Sequence, residues 1–152
     1  MKKSLIAVGI VFSSFGVNAA DVAILGGGVS YHFKSAGQNQ VHPSIGIQVD
    51  NFSVIYTSKN SIELPSFQVT YSDAFYESDT VDFGYRIGVA TGYRKGHEYN
   101  DGKHHYNGVE IGSTGLLPLA TITTTFHTSI PKLDLVADTA LNVIMFGFKY
   151  NL

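Results

Sequence analysis

The sequence predicts an all-β fold, an eight-stranded antiparallel outer-membrane β-barrel, and three observations carry that expectation. The last stretch, Asn142 to Leu152, puts Ile144, Phe146, Phe148, Tyr150 and Leu152 on one face of an extended strand. Large apolar side chains at every second position need a dry surface on one side, as the closing strand of a membrane barrel has. At the other end, Lys2 and Lys3 precede an apolar run from Leu5 to Val17, followed by Val17-Asn18-Ala19. That order is the pattern of a cleaved secretory signal, expected over residues 1–19. Finally, the run is too short to span a bilayer as a helix, and no later stretch is apolar for the roughly 20 residues a spanning helix requires. A membrane location therefore implies strands.

Composition fits a single barrel domain over residues 20–152. Charged residues make up 14% of the chain, against roughly 25% in soluble domains. The 16 glycines, 10 phenylalanines and 9 tyrosines suit strands whose aromatic belts meet lipid headgroups. A net charge of −2 provides no basic stripe to displace counterions from nucleic acid, which is excluded as a partner. The absence of cysteine rules out disulfides and a lipidated N-terminal cysteine. A soluble periplasmic β-sandwich shares the alternation and the leader, and differs in where polar residues sit along each strand.

Turn chemistry separates eight extended segments. They run from Val22 to Phe33, His42 to Val49, Phe52 to Thr57, Ser66 to Tyr71, Val81 to Tyr93, Leu116 to His127, Leu133 to Ala137 and Leu141 to Leu152. Asp50-Asn51 makes a tight periplasmic turn, and Ser72 to Thr80 a longer one. Gly37 to Gln40, Ser58 to Leu64, Arg94 to Asn107 and Asp138-Thr139 then lie outside, where barrels place their longer loops.

Alternation assigns faces. In the first strand Ala23, Leu25, Val29, Tyr31 and Phe33 point outward, leaving Val22, Ile24, Gly26, Gly28, Ser30 and His32 inside. The second strand points Ser44, Gly46 and Gln48 inward. The fifth points Asp82, Gly84, Arg86, Gly88, Ala90 and Gly92 inward, and the last Leu141, Val143, Met145, Gly147 and Lys149. Sorted by height, Gln48, Asp82, Arg86 and Lys149 form a polar periplasmic plug. The extracellular half receives Gly26, Gly28, Gly46, Gly88, Ala90, Gly92, Val143 and Met145. Two readings of that small, apolar half stand side by side: a cavity for a hydrocarbon chain, or glycines that relieve crowding where strands curve.

Several segments resemble the PagP-type lipid A palmitoyltransferases, small outer-membrane barrels that move an acyl chain from a phospholipid to lipid A. Leu116-Leu117-Pro118-Leu119-Ala120-Thr121 is similar to the family's LLPLAS segment, and Ile130-Pro131 to its later Ile-Pro. Asn142-Val143 through Lys149-Tyr150-Asn151-Leu152 aligns without gaps to its final strand. Tyr31-His32-Phe33 resembles its Trp-His-Ala-Arg-Phe, and Lys59-Asn60-Ser61 its Lys-Asp-Ser. Departures accompany the likeness. The family's N-terminal amphipathic helix has no room, Asn60 stands where the family has a carboxylate, and Gly27 stands where it has a proline. In the register set by Pro65, Thr70 replaces the glycine that floors the family's acyl pocket.

The resemblance implies an acyltransferase. Acyl transfer from an ester to a hydroxyl needs a base and donors for the developing oxyanion. His32 is the implied base, with Ser61 as nucleophile or oxyanion donor and Asn60 as the orienter of the imidazole. Gly26, Gly28, Thr70, Gly88, Val143 and Met145 are the implied acyl-binding residues. Phospholipid and lipid A are the implied partners, with no cofactor and a monomeric barrel expected. Lys34, Lys59, Arg94, Lys95 and Lys103 place positive charge by the outer loops, where lipid A phosphates lie. His97, His104 and His105 stand near Glu98 and Asp101, but their spacing fits no closed metal site, and they are read as a solvated loop with no metal. The competing functions are a non-enzymatic barrel acting in adhesion, phage exclusion or lipid contact through residues 94–107, and a channel for hydrophobic ligands.

Overall fold

A computed structural model describes residues 20–34, 37–99 and 101–152; the expected leader, residues 1–19, lies outside them. Eight strands follow in order: β1 Val22–His32, β2 Val41–Val49, β3 Phe52–Thr57, β4 Ser66–Tyr76, β5 Val81–Ala90, β6 Leu117–His127, β7 Leu133–Thr139 and β8 Val143–Asn151. Each pairs antiparallel with the next, and β8 returns to β1, so the sheet is a closed barrel. Closure removes the unpaired edges that an open sheet would present. Asp50-Asn51 and the connections 77–80 and 128–132 lie at one end with both ends of the barrel chain. The connections 33–40, 58–65, 91–116 and 140–142 lie at the other, here the loop end. Among the described residues no helix is long and apolar enough to cross a membrane.

The outer wall is apolar around the barrel. Val29, Ile45, Val54, Val69, Ile122 and Leu135 from six different strands are all exposed. Aromatic pairs mark both ends of this wall. Phe52 packs on Tyr71 at 5.2 Å and Tyr76 on Phe83 at 6.0 Å near the turns; Tyr56 packs on Phe67 at 5.0 Å and Tyr31 on Phe33 at 6.0 Å near the loops.

The first strand departs from simple alternation. Ala23 and Leu25 are 2% and 5% exposed and point inward, while Ile24 is 37% exposed and points outward. Further along, Val29 and Tyr31 are outward and Ser30 and His32 inward, as alternation from the loop end predicts. A β-bulge between Gly27 and Val29 shifts the phase between the halves. Gly28, at φ +137°, adopts a backbone that L side chains rarely take, and a Cβ there would collide with the His42 carbonyl. Gly26 therefore faces the outer side, against the Phe148 ring, and does not line the interior; Gly28 is the bulge residue, not a wall of an acyl pocket.

Other boundaries move for local reasons. β4 runs to Tyr76 because the turn is set later: Ser78 Oγ accepts the Val81 N–H at 3.1 Å, and Asp82 Oδ1 accepts the Ser78 N–H at 3.1 Å. β5 stops at Ala90 because Gly92, at φ +81°, turns the chain away from the sheet. Leu141 is fully exposed between β7 and β8 and is not an inward residue. Asp138 is not in an outer turn but inside the barrel, on β7. There it pairs with Arg86 Nη1, and its other oxygen accepts from Thr121 Oγ1 at 3.2 Å and Thr123 Oγ1 at 2.6 Å.

The room inside the barrel is at the turn end. A polar cavity of about 430 Å³ is lined there by residues including Gln48, Asp82, Arg86, His127, Asp134 and Lys149. His127 bridges Asp82 and Asp134, each at 3.0 Å. Toward the loop end the interior is packed: Ser30, Thr57, Ser66 and Ala90 are nearly inaccessible. Leu25 and Ile55 are the register partners of Gly46 from either side, and an Ile55 side-chain carbon occupies the space where a Gly46 Cβ would go. Glycine there clears room for neighbouring side chains, the second of the two readings of the small residues.

Two substitutions test this architecture. Gly28→Ala is expected to lower the stability of the folded barrel by at least the roughly 1–3 kcal/mol of a strained backbone, read as a loss of the heat-sensitive compact band on gels. Asp138→Ala leaves Arg86 buried and unpaired, and should cost about 3–5 kcal/mol in urea unfolding from micelles. Asp138→Val combined with Arg86→Met is expected to recover most of that loss.

Candidate functional site

The loop end carries its own small core. Ile62, Tyr99 and Tyr106 are buried together, with Leu64 and Tyr93 packed against them. This ties the 58–65 connection to the 91–116 connection, while Glu98, Asp101, His104 and His105 stay exposed, as a solvated loop predicts. Glu98 and His105 form an isolated antiparallel bridge. The Asp101 carboxylate accepts from the backbone N–H groups of Lys103 and His104 at 2.9 and 3.0 Å and contacts His104 Nδ1 at 2.5 Å. Chiefly the His104 ring, and then those N–H groups, hold Asp101 at a pKa of about 2. A carboxylate shifted down contributes fully above its ordinary pKa and loses that contribution as the pH falls through the shifted one, so the support it gives this turn declines as the pH drops from about 3.8 to about 2. Glu110 is likewise lowered, mainly by the N–H groups of Lys95 and Gly115. Among the described residues no three His, Cys, Asp or Glu side chains converge on a metal-sized site.

Asn60 is the keystone of the 58–65 connection. Its Oδ1 accepts the N–H groups of Ile62 and Leu64 at 2.9 and 3.1 Å, and its Nδ2 donates to the Gly92 carbonyl at 3.1 Å. These partners engage the side chain in loop geometry, and its expected role of orienting His32 falls to another residue. Ser61 Oγ lies 3.5 Å from Tyr93 OH. Burial pushes the Tyr93 phenol up, with the Ser61 hydroxyl opposing. Asn60 and Ser61 thus meet the 91–116 connection, and the expected grouping of His32, Asn60 and Ser61 is not assembled.

His32 instead belongs to a chain of polar contacts across the tops of β1 and β2. Its Nδ1 lies 3.2 Å from Gln40 Oε1, and the Gln40 amide nitrogen donates to the Gln38 carbonyl at 3.3 Å. Gln40 Oε1 also lies 3.4 Å from Ser30 Oγ. Ser30 Oγ lies 2.7 Å from His42 Nε2, and His42 Nδ1 lies 3.2 Å from the Lys59 carbonyl. The acceptors fix the tautomers. An amide oxygen and a backbone carbonyl offer only lone pairs, so His32 Nδ1 and His42 Nδ1 both carry hydrogens. Each imidazole, when neutral, then keeps its lone pair on Nε2.

Two of the expected acyl-binding residues adjoin this group. Val143 is the β8 register partner of His32, and Met145 that of Ser30, all on the inward face. Thr70 and Gly88 are partners of each other on β4 and β5. Thr70 Oγ1 is 2.6 Å from Ser53 Oγ in a buried hydroxyl pair, and a Gly88 Cβ would meet the Val69 carbonyl oxygen and Thr70 Cα. That part of the interior is filled. An apolar groove lies instead on the outside of the wall, lined by Gly27, Gly28, Val29, Val41, Pro43, Phe146 and Phe148. Ser30 and His42 were missed as site residues. The signal for them was a serine and a histidine both on the inward phase of adjacent strands, and it needed the strand register to be seen.

Fold and surface together define a closed eight-stranded barrel with an apolar outside, a polar cavity at the turn end and a histidine-bearing mouth. No family model matches the chain, and no curated protein is significantly similar to it.

The side-chain amide of Asn60 explains why a carboxylate does not stand there: an aspartate would face the Gly92 carbonyl with no proton to donate. Asn60→Asp is therefore expected to loosen the loops by about 1–3 kcal/mol, the cost of a lost buried hydrogen bond. Faster amide exchange at Ile62 and Leu64, or quicker cleavage of the 91–116 connection by protease, would register it.

Proposed function

We propose that the chain is an outer-membrane acyltransferase that moves an acyl chain from a phospholipid to lipid A at the loop end of the barrel. The apolar wall with aromatic pairs at both ends supports a membrane setting, since soluble proteins rarely expose contiguous apolar surface of this extent. The observation that carries the reading is the mouth itself. Two imidazoles, His32 and His42, each held by one ring nitrogen and each with a lone pair on the other, are joined to a single serine hydroxyl, His42 directly and His32 through Gln40. Acyl transfer needs a proton acceptor and a hydrogen-bond donor near one ester carbonyl, and neutral imidazole is both.

The donor's hydrocarbon tail is placed along the outer groove beside β1 and β2, because the loop half of the interior is packed. Lys34, Lys59, Arg94, Lys95 and Lys103 belong to the loop-end connections, where they suit the phosphates of lipid A. The resemblance of His32, the Leu116 to Thr121 segment and the last strand to the palmitoyltransferases adds to this reading. One observation favours a second reading, a non-enzymatic surface barrel: the folded 91–116 connection exposes Val109 and Ile111, an apolar spot suited to binding.

Mass spectrometry of lipid A from cells lacking other palmitoyltransferases separates the two. A species heavier by one acyl chain should appear with this protein and fall about 10²–10³-fold with His32→Ala, the range for a lost oxyanion donor. No such species, from a barrel shown to be folded in the outer membrane, would move the assignment to surface binding.

A further inference from the structure

We infer that Ser30 is a nucleophile and His42 its base, so that transfer passes through an acyl chain covalently held on the Ser30 hydroxyl; this rests on the acyltransferase reading above. Three features of a nucleophile–base–orienter unit are present together. Ser30 Oγ is 2.7 Å from His42 Nε2. His42 Nδ1 is 3.2 Å from the Lys59 carbonyl, which holds the ring with Nε2 toward the serine. Because that carbonyl fixes the proton on Nδ1, Nε2 is the acceptor and the Ser30 hydroxyl donates to it, the direction in which a base activates a nucleophile. The spacing, the orienting acceptor and the burial of Ser30 at 4% exposure distinguish this arrangement from a hydroxyl hydrogen-bonded at the surface.

The Gln40 side chain shows where an ester would sit. Its amide oxygen is 3.4 Å from Ser30 Oγ and 3.2 Å from His32 Nδ1. A carbonyl oxygen in that place is within reach of the attacking oxygen and of an N–H donor at once. When the Gln40 side chain swings out and a phospholipid ester takes its position, Ser30 Oγ attacks the ester carbon and its proton passes to His42 Nε2. The developing oxyanion is stabilised by His32 Nδ1–H. The bond from the acyl carbon to the glycerol oxygen breaks, that oxygen takes the proton from His42, and lysophospholipid leaves. In the second half a hydroxyl of lipid A gives its proton to His42 and attacks the acyl-serine. The Ser30 oxygen leaves and takes the proton back. No redox partner or metal enters either half.

The experiment is intact-protein and peptide mass spectrometry of the folded barrel in micelles after incubation with a p-nitrophenyl ester of a long-chain fatty acid. The expected result is one added acyl group, cleaved by hydroxylamine and mapped to Ser30. It should be absent in Ser30→Ala, form about 10²–10⁴-fold more slowly in His42→Ala, and form faster in Gln40→Ala, which vacates the ester position. Heat-sensitive gel migration confirms folding of each variant. Ser30→Cys, which keeps a nucleophile if Ser30→Ala fails to fold, should carry the acyl group as a thioester. A folded barrel that acylates lipid A yet never carries an acyl group on Ser30 overturns the covalent route and leaves the transferase standing. Neither acyl-serine nor lipid A product overturns both.

Discussion

The pairing of β1 with β8 is the contact on which everything else depends. It joins the two ends of the sheet and so leaves eight strands without an edge, but it also asks β1 to satisfy neighbours on both sides with one chain. The conflict is resolved at Gly28. A single extra residue there changes which face the strand presents, and both neighbouring registers shift at the same point. Close approach continues across the seam, where Gly27 and Gly147 face each other with no room for a Cβ on either. From this seam the rest follows. The lower half of β1 fills the barrel with Ala23 and Leu25, and the upper half turns Ser30 and His32 toward the mouth.

Much of this was legible in the sequence, and the reasons for the exceptions are specific. Strand number and order follow from alternation and turn chemistry, and the phases of β2, β5 and β8 hold because nothing interrupts their period of two. β1 fails at its first half because three successive glycines carry no side chain to report the phase, so a bulge among them leaves no trace in the pattern. Asp138 was displaced to a loop because a charged residue beside a turn reads as solvated. Its actual environment depends on an arginine 52 positions away in sequence, and no local window contains that partner.

The mouth was half legible. His32 stood out as an inward histidine at a strand end, and Val143 and Met145 do lie beside it. Asn60 and Ser61 also lie at the loop end, as a reading of their connection predicts, but their side chains are engaged in holding one loop to another. What alternation does not supply is register. Whether Ser30 faces His42 or a neighbour two residues along depends on how far β2 slides past β1, and the bulge sets that offset. The chemistry of the mouth is thus a consequence of the seam as much as of the residues themselves.

The polar cavity at the turn end has a further consequence. It is a blind well: water that enters past Asp82 and Lys149 meets the Arg86–Asp138 pair and then the packed layer of Leu25 and Ile55. Beyond that layer the interior is packed around Ser30, Thr57, Ser66 and Ala90. Because Leu25 and Ile55 fill the barrel at mid-height, the polar lining of the cavity opens toward the turn end, so its charged groups face the side of the membrane opposite the loops.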